Sequence, residues 1–169
     1  MDTTEWLEQN ARGFQAIPRD AREAVMHFSF LWSLFEFEAM DRHADGNALV
    51  AVARRWEKAG LLADEQFEEA LRYFRERYYR DGEFTHHFNF LNLPDGDHRK
   101  LVRRVLMNEN VENSEIASVV LIIVYRYRNN LFHGEKWLYQ IQGQVENFTH
   151  ANAVLKEAIE LYRRLPGDQ

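Results

Sequence analysis

The longest organised pattern in the chain runs from Pro18 to about Arg42, where Phe28, Phe30, Leu31, Trp32, Leu34, Phe35, Phe37 and Met40 cover most of a helix circumference. A helix that is apolar all round is one surrounded by neighbours, so this stretch is expected to be a central core helix. Pro18 with Arg19 and Asp20 forms its start, because proline's fixed φ and missing amide suit the first turn. Residues 2 to 12 read as a short helix ahead of it. Asp45, Gly46 and Asn47 stop the pattern, and Ala48 to Ala59 then repeats apolar residues at helical spacing until Gly60, a natural terminator. Asp64 is expected to cap an amphipathic, peripheral helix over Glu65 to Tyr79, with Phe67, Leu71 and Phe74 (or Tyr78) on its inner face.

From Asp81 to Asp97 the periodicity lapses. Gly82, Pro94 and Gly96 surround the aromatic segment Phe84 to Phe90, which predicts an irregular loop with room for one helical turn. Asp97 then caps a basic helix ending near Asn108, with Arg99, Lys100, Arg103 and Arg104 on one side and Leu101, Val102, Val105 and Leu106 on the other. Asn113 or Ser114 caps the next element, from Glu115 to about Phe132. Its run from Val119 to Val124 is rich in β-branched residues, which leaves a buried strand open. The pattern of Ile116, Val119, Ile123, Tyr127 and Leu131 outlasts a strand and predicts a helix. Gln144 to Leu165 closes the chain with Val145, Phe148, Ala151, Leu155, Ile159 and Tyr162 at helical intervals before Pro166. The expected fold is all-α, a helical bundle with a long central helix pair and peripheral helices.

Composition narrows this picture. At 169 residues, 46% hydrophobic and 28% charged, the chain has length for one core, so a single domain over 1–169 is expected, its core about 20–165. Eight Gly and three Pro are too few for the turns of an all-β fold. The absence of Cys removes disulfides, thiolate zinc sites and a cysteine nucleophile, and fits a reducing cytosol. The longest apolar run, Val119 to Tyr125, falls far short of the ~20 residues of a membrane span. Met1 to Glu5 lacks the basic start of a secretory signal, so a cytoplasmic location is the expectation. A net charge of −6 means that any nucleic-acid contact must be local.

The candidate chemistry lies in Arg126, Tyr127, Arg128, Asn129, Asn130, Leu131, Phe132, His133 and Gly134, where a buried helix meets a glycine. Asn129 and His133 are four residues apart, hence on one helix face, and the amide can orient the imidazole. Arg128 and His133 are five apart and miss a common face by roughly 140° on a regular helix. Unwinding at His133, with Gly134 taking a left-handed backbone, would bring them to one concave site, so the helix is predicted to end there.

At these residues the sequence resembles the HEPN superfamily, small helical bundles marked by an Arg, usually a polar residue after it, and a His four to six residues beyond. The match is Arg128, Asn129 and His133, at the end of a buried helix, with Phe28 to Met40 as the preceding core helix; it covers roughly residues 20 to 165. The resemblance implies metal-independent RNA cleavage without a cofactor, the 2′-hydroxyl attacking its own phosphate at a site assembled across a dimer interface. Such transesterification needs a base, an acid and positive charge on the phosphorane, and the segment supplies a single histidine. A symmetric homodimer presents the patch twice. In this reading Arg128 binds the scissile phosphate, His133 is acid or base, and Asn129 positions the ring or a phosphate oxygen. Glu36 is a supporting candidate, a carboxylate on a largely apolar helix that calls for a cationic partner in Arg128 or Arg126.

Other readings stay open. Degenerate HEPN domains could bind RNA, nucleotide or a protein partner without catalysis, and cations near a helix end also serve simply as caps. A toxin or host-defence effector would meet an antitoxin or regulatory protein. In some HEPN toxins a tyrosine two residues past the histidine is modified by a partner nucleotidyltransferase; here that position is Glu135. His86 and His87 lack further ligands at zinc spacing, Arg99 to Arg104 reads as a solvated face, and most aromatics fall at packing positions.

Overall fold

The computed structural model describes residues 1–132 and 143–167. Asp2 and Glu5 close a capping box on α1 (Thr3–Asn10), and a 3₁₀ turn (Phe14–Ala16) leads into α2 (Arg19–Ala39). There follow α3 (Gly46–Lys58), α4 (Glu68–Tyr78), a ribbon of β1 (Tyr79–Arg80) and β2 (Glu83–Phe84), α5 (His86–Asn89), α6 (Asp97–Leu106), α7 (Asn113–Phe132) and α8 (Val145–Arg163). The fold is mainly all-α, as expected. Among the described residues no helix is long and apolar enough to cross a membrane.

The β-branched run of α7 is helical. Its 20 residues leave no room for a strand, and burial by tertiary neighbours outweighs the modest propensity cost of Val and Ile. Every residue from Ala117 to Val124 is buried, with α3, α4, α6 and α8 against it. Ser118 satisfies its hydroxyl on the Ser114 carbonyl at 2.6 Å. The C-terminal end of α7 meets the N-terminal end of α8 through Tyr127 and Phe148, rings 6.1 Å apart, while Ser114 at the start of α7 and Tyr162 near the end of α8 both reach the last turn of α3, so the two helices run antiparallel. Helix α8 lies along α2, from Asn152 on the Ala24 carbonyl to Arg163 on Glu38, so those two run parallel.

Five local expectations are corrected. Helix α2 is not enclosed: Phe28, Trp32 and Phe35 are buried, whereas Met26, Phe30, Leu34 and Phe37 face out, because its packing is supplied chiefly by α8 on one side. Asp45 does not simply stop a helix; its carboxylate accepts the Ala48 amide at 2.8 Å and caps α3. Gly46 follows beneath the His98 ring, where an added Cβ would sit 2.5 Å from a ring carbon. Asp64 does not cap α4, which starts later at Glu68; it accepts from the Asn113 amide at 3.0 Å and so ties the start of α7 to the α3–α4 connection. Asp97 is the first residue of α6 after Gly96 and makes no side-chain cap. The 81–97 segment is more ordered than a loop: Asp81 and Gly82 have φ of 54° and 84°, the positive pair of a tight hairpin turn between β1 and β2, and the single helical turn is α5.

Candidate functional site

The last two turns of α7 send polar side chains in three directions. Arg126 and Asn130, four residues apart, share the face toward the chain that leaves α5. The Arg126 Nε donates to the Leu91 carbonyl at 2.8 Å and the Asn130 amide to the Phe90 carbonyl at 2.9 Å, while the Asn92 amide returns a 3.3 Å bond to Asn130. Carbonyls at the end of a one-turn helix have no partners of their own, and α7 supplies them. Arg126 and Asn130 therefore do structural work that the sequence reading did not assign. Their i, i+4 spacing was the only available signal.

Tyr127 points into the core. Its hydroxyl shares a 2.6 Å hydrogen bond with Tyr78 and donates to the Asn147 carboxamide oxygen at 3.2 Å, which also accepts from Tyr73 at 2.6 Å. Asn147, 1% exposed, donates in turn to Gln144 at 2.5 Å. Burial pushes the Tyr78 phenol up to about 12 and raises Tyr127 well above its ordinary value. Both stay neutral and hydrogen-bonded at physiological pH. The cluster locks α4, α7 and α8 together at the end of the bundle where α7 finishes and α8 begins.

Arg128 and Asn129 are brought together. Arg128 is half-buried and donates from Nη1 to the Asn129 oxygen at 3.1 Å; Asn129 is 7% exposed. The guanidinium carbon lies 5.6 Å from the ring centroid of Phe132, which is exposed. The Arg128 Nε is sealed from solvent with no hydrogen-bond partner among the described residues. His133, Gly134 and Glu135 lie outside the described residues, as do the predicted helix end and the Asn129–His133 pairing.

Glu36 stands apart from this group. Its carboxylate accepts from the Trp32 indole at 3.3 Å and the Ala44 amide at 3.4 Å, in place of the expected Arg126 or Arg128. The reason is topological. Trp32 stacks on Tyr125 at 5.7 Å where α2 and α7 run antiparallel. Glu36 is one turn from that contact in one direction and Arg128 one turn in the other, which separates them by ~10 Å along the axes.

The other candidates stay local. The rings of His86 and His87 are 4.0 Å apart, and burial, Arg77 and the neighbouring ring hold His87 below its ordinary pKa. No group of three metal-ligating side chains occurs among the described residues. Arg103 lies 4.0 Å over the Phe84 ring and Arg99 5.7 Å over Phe88, so part of the basic helix packs on aromatic faces. Compared with protein-family models, with curated proteins and with solved structures, the chain gives no match to any of them.

Proposed function

We propose that the chain is a metal-independent endoribonuclease of HEPN type, acting on RNA as a symmetric homodimer through Arg128, Asn129 and His133. The supporting observation is Arg128: a half-buried guanidinium at the end of α7, its Nε sealed and unpaired among the described residues, held by Asn129 one residue on. With no carboxylate paired to it among the described residues, the guanidinium suits an anion such as an RNA phosphate, met through its outer nitrogens rather than the sealed Nε. In the reaction the 2′-oxygen forms a bond to phosphorus as the bond to the 5′-oxygen breaks. A base takes the 2′-proton, an acid protonates the leaving oxygen, and Arg128 offsets the phosphorane charge. His133 fills one proton-transfer role, and its copy across the two-fold fills the other. The protein would then be a cytoplasmic toxin or host-defence effector controlled by an antitoxin or regulatory protein.

The rival is a non-catalytic HEPN module that binds RNA, nucleotide or protein. It is favoured by the structural commitments of Arg126, Tyr127 and Asn130, which show that polar residues at this helix end can serve the fold alone. Purified protein incubated with total RNA in EDTA separates the two. Fragments ending in 2′,3′-cyclic phosphate are expected from the wild type and not from Arg128→Ala or His133→Ala. Equal cleavage by all three would sink the catalytic reading.

A further inference from the structure

We infer that α2 is a self-association face, pairing antiparallel with α2 of a second copy of this chain through Met26, Phe30, Leu34 and Phe37. These side chains are 49%, 72%, 39% and 61% exposed and follow one another at three- and four-residue steps, so they form one stripe on a 21-residue helix. Together they leave roughly 500 Å² of apolar surface in solvent, at the upper range for a monomer. Beyond Phe37 the stripe gives way to an open groove of about 430 Å³ with a mixed lining that includes Glu38, Asp41, Arg55 and Tyr162.

The stripe selects its own copy because it is nearly palindromic. Reversing the helix about residue 32 exchanges Leu34 with Phe30 and brings Phe37 to within one residue of Met26. An isologous interface needs this self-complementarity, apolar at the centre. Two stripes face to face remove about 1,000 Å² from water before flanking residues are added, close to the ~1,200 Å² at which stable interfaces begin. The pairing rests on the proposed function only in supplying its second copy; the stripe itself owes nothing to RNA.

Solution mass of the full chain tests this at micromolar concentration. The wild type is expected at twice 20.2 kDa, and Phe30→Glu combined with Leu34→Glu at 20.2 kDa with an unchanged helical circular dichroism spectrum. The chain lacks cysteine, so single-cysteine variants report geometry directly. Ser33→Cys, beside the two-fold, should form an intermolecular disulfide on oxidation, and Glu23→Cys, far from it, should not. A monomeric wild type would give the stripe some other occupant and overturn the pairing. So would a dimer that survives the double substitution, or equal cross-linking by both cysteine variants. None of these readouts involves RNA, so the ribonuclease reading can fail while the pairing holds, and the reverse.

Discussion

Helices α2 and α7 carry the same sequence signature, apolar residues around most of the circumference, and the fold treats them differently. Helix α7 is buried without interruption from Ala117 to Val124, whereas α2 alternates buried Phe28, Trp32 and Phe35 with exposed Phe30, Leu34 and Phe37. The difference lies in the neighbours. Four helices pack around α7, and α2 receives chiefly α8. All-round apolarity therefore does not by itself decide how much of a helix its own chain covers.

The sharpest way to break this contrast is to truncate one side chain on each helix. Leu121→Ala in α7 should cost about 2–5 kcal/mol, read as a lower thermal midpoint, because a fully buried leucine leaves a cavity. Phe30→Ala, measured at the lowest workable concentration, should change chain stability by less than about 0.5 kcal/mol. Similar losses at both sites would mean that the exposed face of α2 is covered within the chain.

The polar end of α7 gives it an alkaline weakness that α2 lacks. Tyr78 is pushed up to about 12 in the fold, against an ordinary 10.0, so above pH 10 the unfolded chain releases a proton that the folded chain keeps. The stabilisation is complete below pH 10 and is lost as pH rises toward 12. Thermal midpoints followed over that window should fall more steeply for the wild type than for Tyr78→Phe; parallel slopes would remove the phenol cluster from the account.

A smaller effect is expected where α7 holds the chain after α5. Asn130→Ala removes two hydrogen bonds to residues 90 and 92, at a cost of about 1–2 kcal/mol, and should speed amide exchange in 90–92 before it is seen elsewhere. The least effect belongs to Glu36→Gln on α2. Its hydrogen bonds are 3.3 and 3.4 Å long and it stands away from Arg128, so stability should move by less than about 0.5 kcal/mol, and the proposed RNA cleavage should not change. A large loss of cleavage in Glu36→Gln would return that carboxylate to the site.

The contact between Arg128 and Asn129 was legible because it is local. Arg128 and Asn129 are neighbours in sequence and remain so in space, joined at 3.1 Å. Glu36 was misassigned its partner because the antiparallel course of α2 against α7 decides which turn meets which, and no pattern within either helix encodes that. Asn147 escaped notice for the same reason. It is one polar residue on an amphipathic helix until Tyr73 of α4 and Tyr127 of α7 arrive at its oxygen.

By itself the sequence determined the helical class and the order and approximate ends of the longer helices, since period and breakers act within a few residues of chain. It also marked the end of α7 as unusually polar for so apolar a helix. Tertiary structure alone decided which face of α2 stays open, which phenols share an asparagine and which carbonyls Arg126 and Asn130 satisfy. Those outcomes depend on the placement of segments far apart in the chain, where burial and hydrogen bonding are settled by the neighbours that arrive.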